Sequence, residues 1–326
     1  MKKILVIRFS SIGDIVLTSP VVRCLKKQTN AEIHFLTKEK YASLVRSNPN
    51  IDKVITIEKD IHEVADLLKK EHYDFIVDLH HNLRTLRTKR KLKIPSQSFP
   101  KLNVQKWLLV NLKMNRLPKK HVVDRYFEAT TKLFIKNDGL GLDYFIAEKD
   151  EVDIVSFLPK SFQKYATIAL GAQFATKRLP KSQLEKLIAG LPFPIVLLGG
   201  KEDQELGDEL AKKFPETVFN TAGICSLNQS ASIVKQSKFI ITHDTGLMHI
   251  ASAFKIPILS VWGNTVPDFG MSPYLPVEGS QLFEVANLSC RPCSKIGFQK
   301  CPKKHFNCMM QQDIPAIITA AKKLFL

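Results

Sequence analysis

Acidic, hydroxyl-bearing and small residues stand together in residues 9–20, which read Phe-Ser-Ser-Ile-Gly-Asp-Ile-Val-Leu-Thr-Ser-Pro. The segment directly follows an apolar run at 4–7 that predicts a buried β-strand. Small residues let a ligand approach the backbone, and the carboxylate of Asp14 falls near the predicted start of a helix. Such a carboxylate can act as a general base, or it can complement the positive end of the helix dipole. Both roles are open for Asp14 at this point.

A second segment, residues 242–249, reads Thr-His-Asp-Thr-Gly-Leu-Met-His and follows another apolar run. Asp244 and Thr245 are residue types that start helices, and Gly246 leaves the first turn without a side chain. Unpaired backbone N–H groups at such a helix start bind phosphate and sugar oxygens. His249 follows Gly246 by three residues on the same helical face, which predicts that it contacts the same ligand. An ordinary buried histidine is the alternative.

Two further segments place charged residues beside predicted helix starts. Lys177 and Arg178 precede a helix predicted to open at Pro180, where cations oppose the helix dipole. An anionic ligand between these cations and the helix removes the conflict, so the pair predicts an anion site. Two solvated surface charges are the alternative. Farther along, two glycines precede Glu202 after an apolar run, and this acid is predicted to accept hydrogen bonds from ribose hydroxyls.

Strands and helices must hold these segments, and apolar runs typical of strands alternate with helical patterns along the chain. The predicted strands lie at 4–7, 32–36, 54–57, 75–79, 165–170, 195–198, 239–242 and 258–261. The predicted helices include 15–27, 61–70, 182–189, 202–214, 227–236 and 246–254. The alternation predicts an α/β fold with doubly wound parallel sheets.

A break in the pattern near residues 148–162 predicts two Rossmann-like domains facing a cleft. We place them at residues 1–155 and 156–326, with a C-terminal helix at 313–326 that is free to pack back on the first domain. The G-x-G-x-x-G and G-x-x-x-x-G-K-[ST] phosphate motifs are absent, as are H-E-x-x-H and G-x-S-x-G. The common dinucleotide, P-loop and hydrolase classes are therefore excluded.

The charge of the chain is concentrated in one stretch. The 326 residues carry 48 Lys and Arg against 31 Asp and Glu, a formal net charge of +17. Between Asp78 and Asp124 there is no acid, but there are twelve bases, so the rest of the chain carries only +5. They are Arg84, Arg87, Lys89, Arg90, Lys91, Lys93, Lys101, Lys106, Lys113, Arg116, Lys119 and Lys120. A local surface of this kind is expected to meet an anionic partner.

The sequence also bears on the cellular compartment of the protein and on the state of its cysteines. No run of 18 apolar residues predicts a membrane span, and polar residues interrupt the N-terminal apolar run too early for a signal peptide. We therefore expect a cytoplasmic protein with reduced thiols. Cysteines with the spacing C-x₂-C-x₇-C-x₆-C leave open either a structural zinc site or reduced thiols in a packed loop. They are Cys290, Cys293, Cys301 and Cys308.

The four charged segments together resemble glycosyltransferase family 9, the bacterial lipopolysaccharide heptosyltransferases. The likeness covers nearly the whole chain and is most specific in the opening Ile-Arg-Phe-Ser-Ser-Ile-Gly-Asp and in Asp-Thr-Gly-Leu-Met-His. The resemblance implies a GT-B fold, with an acceptor-binding N-terminal domain and an ADP-sugar-binding C-terminal domain. It also implies inverting transfer of a heptose or related sugar to the inner core on lipid A, with no catalytic metal and no cofactor beyond the donor.

The resemblance assigns roles to individual residues. It implies that Asp14 is the general base and that Lys177 contacts the donor phosphates. Glu202 corresponds to an acid near the ribose of the nucleotide. The remaining donor-binding residues that it implies form one helix start: Asp244, Thr245, Gly246 and His249.

The expected partners are an ADP-sugar donor, an anionic glycolipid acceptor and the cytoplasmic face of the inner membrane, where the enzyme would be peripheral. Nucleic acid is not an expected partner. Two alternatives stay open. A GT-B sugar-nucleotide epimerase would cleave the donor without any acceptor, and a basic nucleic-acid-binding protein would explain the pI near 9.5 and the clustered cysteines.

Overall fold

Residues 2–326 are described by a computed structural model, in which the chain divides into two units. The first unit extends to Leu102 and resumes at Lys120–Phe145. The second unit contains Asn103–Lys119 and Ile146–Leu326. The main part of the second unit therefore begins ten residues before the predicted domain start at residue 156. The second unit also contains Asn103–Lys119 of the basic stretch.

Eleven strands and thirteen α-helices are found among the described residues. The strands are β1 Lys3–Ile7, β2 Glu32–Lys38, β3 Lys53–Ile57, β4 Phe75–Asp78, β5 Ser96–Ser98, β6 Ala166–Ala169, β7 Ile195–Leu198, β8 Val218–Asn220, β9 Ile240–His243, β10 Ile258–Trp262 and β11 Gln281–Glu284. The helices are α1 Ile12–Val16, α2 Ser19–Thr29, α3 Ala65–Lys70, α4 Leu83–Leu92, α5 Asn103–Leu112, α6 Val122–Phe127, α7 Ile154–Phe157, α8 Lys181–Ala189, α9 Gln204–Lys213, α10 Leu227–Lys235, α11 Gly246–Ala253, α12 Asn307–Met310 and α13 Ile314–Phe325.

The strands form one parallel sheet in each unit. The first unit has the order β3-β2-β1-β4-β5, and the second has β11-β10-β9-β6-β7-β8. Counted from the first strand of each unit, the first order runs 3-2-1-4-5 and the second runs 3-2-1-4-5-6, which is the arrangement of doubly wound nucleotide-binding sheets. The predicted α/β fold with two such sheets is confirmed.

The cores explain why the central strands were predictable. The apolar run of β1 is almost completely buried, as are β7 and β10. Strands covered on both faces need apolar side chains at every position, which produces continuous apolar runs in the sequence. The helix predicted at 15–27 is two helices, because α1 ends at Val16 and α2 begins at Ser19 with Pro20 in its first turn.

The C-terminal helix α13 packs within the second unit. Its Ile318 lies against Gly190 after α8, where an added Cβ would come within 2.3 Å of the isoleucine side chain. Phe325 stacks on Phe193, with ring centroids 4.0 Å apart. These contacts lie within the second unit, and packing of the helix on the first unit stays a prediction. None of the helices in residues 2–326 has the length and apolar character to cross a bilayer.

Candidate active site

In the first unit the predicted Asp14 follows β1, which pairs with β4 at the centre of the sheet. In the second unit Lys177 follows β6 and the segment from Asp244 to His249 follows β9, the central neighbour of β6, whereas Glu202 follows β7. The chain winds in opposite directions on the two sides of such a pair, so the loops at the carboxyl ends of the strands separate and leave a crevice. Both units thus place their chemical segments where open parallel sheets bind ligands.

Asp14 is the third residue of α1, and its two carboxylate oxygens have different partners. Oδ2 accepts hydrogen bonds from the hydroxyl of Ser11 at 2.7 Å and from the Ser11 backbone N–H at 3.2 Å. Oδ1 forms an ion pair with the guanidinium of Arg8 at 2.7 Å. One oxygen therefore supports the start of the helix, as the capping interpretation expects. The other is held by a cation, which capping does not require.

Arg8 is a buried anchor that the sequence analysis did not assign. It follows β1 directly, and its guanidinium donates to the carbonyl of Leu79 at 2.5 Å and to the hydroxyl of Tyr126 at 3.0 Å. Its Nε donates to the carbonyl of Ser10 at 2.6 Å. Because these bonds reach the loop after β4 and helix α6, the position of Asp14 is fixed by three separate parts of the first unit. The sequence signal that could have identified Arg8 is a charged residue directly after a buried strand.

Asp78 and His80 complete the polar groups at this end of the first sheet. Asp78, the last residue of β4, is fully buried and forms an ion pair with Lys89 at 2.8 Å. Burial favours its neutral form, but Lys89 and the backbone N–H of His81 outweigh burial and hold the pKa of Asp78 below its usual value. Lys89, one of the twelve bases, is therefore a structural residue.

His80 is neutral in the folded first unit over the physiological range. Burial, reinforced by the positive charges of Arg8 and Lys101, lowers the pKa of His80 to about 3. Its Nδ1 is buried without a hydrogen-bond partner among the described residues. The imidazole packs edge-on against Phe9, with ring centroids 5.2 Å apart. His80 is therefore a second residue beside the candidate site that the sequence analysis did not identify.

In the second unit, the predicted cation and the predicted acid meet directly. The Nζ of Lys177 lies 2.5 Å from Oδ2 of Asp244, and the same oxygen accepts a bond from the Thr265 hydroxyl at 2.9 Å. The two residues are 67 positions apart in the sequence. They are brought together because β6 and β9, the strands that precede their loops, are neighbours in the sheet.

The start of α11 is open towards this pair. Thr245 is the N-cap residue and makes no side-chain cap hydrogen bond, and Gly246 opens the helix. The first backbone N–H groups of a helix have no partner within it, so this end can receive an anion. Asp244, Thr245 and Gly246 are partly exposed, whereas His249 is only 2% exposed. Contact between His249 and a ligand therefore stays a prediction.

Glu202 and its neighbour Asp203 occupy contrasting environments. Glu202 is exposed and lies over Gly200, where an added Cβ would come within 2.5 Å of its carboxylate. Asp203 is buried, accepts a bond from the Gly200 N–H at 2.9 Å and pairs with Arg178 at 3.3 Å. Burial raises the pKa of Asp203. Asp203 thus pairs with Arg178, whereas the exposed carboxylate of Glu202 is accessible to a ligand.

Comparison with known proteins identifies the family. The model of glycosyltransferase family 9 (heptosyltransferase) matches residues 61–303, about three quarters of the chain. The chain belongs to glycosyltransferase family 9. The matched region contains Lys177, Glu202 and the start of α11, and Asp14 precedes it. Family membership makes the protein a glycosyltransferase, and the predicted family is confirmed.

Relatives in this family share sequence over most of their length. The chain is 26% identical over 298 residues to lipooligosaccharide heptosyltransferase 2 of Haemophilus ducreyi, covering 82% of this chain and 85% of that protein. It is 27% identical over 300 residues to lipopolysaccharide heptosyltransferase 1 of Campylobacter coli, covering 81% and 84% respectively.

Solved structures of family 9 glycosyltransferases have the same fold. The enzyme from Veillonella parvula aligns with a TM-score of 0.79 at 22% identity, over 99% of this chain and 97% of that one. The ADP-heptose lipopolysaccharide heptosyltransferase II of Escherichia coli aligns with a TM-score of 0.76 at 21% identity, over 100% and 98%. These likenesses establish the GT-B fold predicted from the sequence.

Proposed function

We propose that this family 9 enzyme transfers a heptose, or a related sugar, from an ADP-sugar to the inner core of lipopolysaccharide on lipid A. The named relatives are heptosyltransferases of lipooligosaccharide and lipopolysaccharide, and one aligned structure is named for ADP-heptose. The observation that carries the proposal is the 2.5 Å contact between Lys177 and Asp244 beside the open start of α11. A cation, an acid and free backbone N–H groups are what a nucleoside diphosphate sugar requires.

The roles of the residues that bind the sugar donor follow from the negative charge that develops during the reaction. The leaving ADP gains negative charge as the bond between sugar and phosphate breaks. An ammonium has three donors, so Lys177 can keep Asp244 and still bind a phosphate oxygen. The N–H groups of Thr245 and Gly246 are proposed to donate hydrogen bonds to another phosphate oxygen, and preorganised donors of this kind usually supply the largest part of catalysis. Glu202 is proposed to accept the ribose hydroxyls.

Asp14 is proposed as the general base of the acceptor unit. Inversion requires that the acceptor hydroxyl attack the anomeric carbon from the face opposite ADP, and a base must remove its proton during the attack. The bonds from Arg8 and Ser11 fix the carboxylate while it remains partly exposed. No catalytic metal is invoked, so initial rates should be the same with and without added Mg²⁺.

The donor site is tested by replacing Lys177 with alanine. A hydrogen bond to a charged group contributes about 1.5–3 kcal/mol, so ADP should bind about 10- to 150-fold more weakly. Isothermal titration calorimetry measures this binding, and transfer from ADP-heptose to truncated lipopolysaccharide is followed by mass spectrometry. Lys181→Ala is the matched control, because this nearby exposed lysine pairs with Glu209 outside the site. Unchanged ADP affinity and transfer in Lys177→Ala would refute the donor site.

Two other outcomes would replace the proposal. An epimerase would convert the ADP-sugar in the absence of acceptor, so the reaction products are compared with and without lipopolysaccharide. A nucleic-acid-binding protein would be stabilised against thermal unfolding by oligonucleotides and unaffected by ADP.

We further propose that the enzyme works at the cytoplasmic face of the inner membrane as a peripheral protein. In the first unit, helix α4 buries Thr85 and Thr88 and exposes the opposite face, including Leu83 at 75%. We call three of the exposed cations at this helix the basic face; they are Arg87, Arg90 and Lys93. A helix that presents cations and apolar side chains together suits an anionic lipid surface.

In the second unit, helix α5 presents a mainly apolar face to solvent. Val104, Trp107 and Leu112 are exposed, with Trp107 at 53%. The segment continues with Lys113, whose ammonium is bonded to backbone carbonyls, and with further exposed bases. Trp at an apolar-to-polar boundary is typical of membrane interfaces, so α5 is proposed as a second contact with lipid.

A further inference from the structure

The loop that carries Lys177 extends beyond the strand pairing that brings β6 and β9 together. We call residues 171–179 the lysine loop. The ladder between β6 and β9 ends at the pair of Ile168 and Ile241. Lys177 lies nine residues after Ile168, and Asp244 lies three residues after Ile241. A lysine side chain is a flexible four-carbon stem, so its ammonium stays beside Asp244 only if other contacts fix the backbone of the lysine loop.

His243 makes such a contact. It is the last residue of β9, where its backbone pairs with Val261 of β10, and it is only 1% exposed. Its Nε2 accepts a hydrogen bond from the backbone N–H of Leu179 at 3.0 Å. Leu179 lies two residues after Lys177, and His243 directly precedes Asp244. One buried side chain therefore joins the two backbone segments that carry the cation and the acid of the candidate donor site.

The imidazole of His243 is an uncharged acceptor. Burial, reinforced by the positive charge of Arg178, lowers the pKa of His243 to about 4. A neutral imidazole has one acceptor nitrogen, and the bond from Leu179 makes Nε2 that nitrogen. A carboxylate could accept the same bond, but it would place a second negative charge next to Asp244 and compete with a phosphate for Lys177. The imidazole fixes the lysine loop without changing the charge of the site.

The lysine loop is also fixed on the other side of Lys177. Thr176 is buried, and its hydroxyl donates to Oδ1 of Asn264 at 3.1 Å. The backbone N–H of Thr176 donates to the carbonyl of Phe298, also at 3.1 Å. The side chain of Lys177 is 15% exposed, so it is a partly accessible cation between two buried contacts, at Thr176 and at Leu179. A cation held in this way loses little freedom when an anion binds, which strengthens binding.

We propose that His243 is a positioning residue of the donor site, whose hydrogen bond to Leu179 fixes the lysine loop so that the ammonium of Lys177 is in place for the donor phosphates. This inference rests on the proposed function, because His243 acts through Lys177. Without the imidazole, the buried N–H of Leu179 has lost its acceptor and the loop is free to move. Donor binding should then weaken, whereas acceptor binding should not.

A double-mutant cycle tests whether His243 acts through Lys177. Binding of ADP to the full chain is measured by calorimetry for wild type, His243→Leu, Lys177→Ala and the double variant. Leaving a buried N–H without its acceptor should weaken ADP binding about tenfold in His243→Leu. The double variant should bind ADP no more weakly than Lys177→Ala alone, because no ammonium is left to position. Independent effects would instead multiply.

Two controls separate positioning from a general loss of structure. His243→Gln offers an amide oxygen to the N–H of Leu179 and should bind ADP nearly as wild type does. Tyr165→Phe removes a buried hydrogen bond to the carbonyl of Ile233, at the opposite end of β6 from the lysine loop. It should lower stability in urea without changing ADP affinity. In transfer assays, His243→Leu should raise the KM for the ADP-sugar and leave the KM for the acceptor unchanged.

If His243→Leu does not fold, His243→Asn replaces it in the cycle, because this polar side chain is too short to reach Leu179. Three results would overturn the positioning role while Lys177→Ala still weakens ADP binding. They are wild-type ADP affinity in the folded His243 variant, a double variant weakened by the full product of the two single effects, and a His243→Gln chain as weak as His243→Leu. Wild-type ADP affinity in Lys177→Ala would instead refute the proposed donor site itself.

Discussion

Replacing Asp14 with asparagine separates a catalytic carboxylate from a structural one. The change keeps the shape of the side chain and removes one negative charge. In the wild type, Oδ2 receives the two bonds from Ser11 and Oδ1 pairs with Arg8. An amide has one oxygen, so it can preserve the bonds to Ser11 or the contact with Arg8, but not both. The variant therefore loses some stability even if Asp14 has no role in the reaction.

The size of that structural loss follows from the contact with Arg8. A hydrogen bond to a charged partner contributes about 1.5–3 kcal/mol, and a neutral one about 0.5–1.5 kcal/mol. Replacing the carboxylate of Asp14 with an amide should lower the unfolding free energy by about 1–2 kcal/mol. The loss is limited to this amount because Arg8 keeps its bonds to Leu79, Tyr126 and Ser10. A lost general base lowers turnover by about 10²–10⁴-fold, which corresponds to about 2.7–5.4 kcal/mol of activation free energy.

The assay measures both quantities in the same variant. Turnover is followed with ADP-heptose and truncated lipopolysaccharide, and stability is followed by urea unfolding. ADP affinity should not change, because the donor loops belong to the other unit. Asp60→Asn is the control: Asp60 caps a 3₁₀ helix of the same unit through the His62 N–H and has no arginine partner. If Asp14→Asn kept wild-type turnover while losing 1–2 kcal/mol of stability, Asp14 would be a helix residue and not the base.

Three further predictions concern the first unit. Replacing the three residues of the basic face with glutamine should weaken liposome binding by up to about 3 kcal/mol at low salt and by almost nothing at high salt. Binding is measured by co-sedimentation, and the control carries glutamine at Lys27, Lys70 and Lys132. Lys89→Ala should lower the unfolding free energy by about 3 kcal/mol in urea, because it leaves the buried Asp78 charge without its cation, whereas the exposed Lys91→Ala should not. His80→Gln should reduce the loss of stability between pH 7 and pH 5.

The sign of the His80 effect follows from proton linkage. The pKa of His80 is lowered to about 3 in the folded chain, so the unfolded chain binds this proton more readily. Its contribution to stability is complete above the unfolded pKa of about 6.5 and is lost as the pH falls towards 3. The slope cannot exceed about 1.4 kcal/mol per pH unit for one proton. An unchanged slope in His80→Gln would show that other groups cause the acid sensitivity.

The central strands and the edge strand β3 could be predicted from the sequence, whereas the other edge strands, β5, β8 and β11, could not. β1 and β7 are buried almost completely, so their sequences are nearly continuous apolar runs. β5 has the sequence Ser-Gln-Ser, and β11 is mostly exposed. An edge strand has a neighbour on one side only and little apolar surface to bury, so its sequence resembles that of a loop.

The site could be predicted where local sequence determines local structure. Thr245 and Gly246 start α11 as their residue types indicate. The contact between Lys177 and Asp244 was not available in the same way, because it depends on the pairing of β6 with β9. The basic stretch shows the same limit: absence of nearby acids in the sequence predicted twelve cations available to an anionic partner, yet Lys89 is paired with Asp78 through the fold.

Both units hold a cation–carboxylate pair at the crevice of the sheet, and in the first unit the exposure of the two members indicates which one faces the ligand. In the first unit the Arg8 side chain is 8% exposed and that of Asp14 is 24% exposed, so the cation is the anchor and the carboxylate is presented. In the second unit Lys177 and Asp244 are 15% and 11% exposed, and Thr265 also holds the acid. The two members of this pair are almost equally exposed, and the proposed donor site assigns the ammonium to the phosphate. A presented carboxylate suits removal of a proton, and a presented ammonium suits a phosphate, so one structural motif can supply opposite chemistry to acceptor and donor.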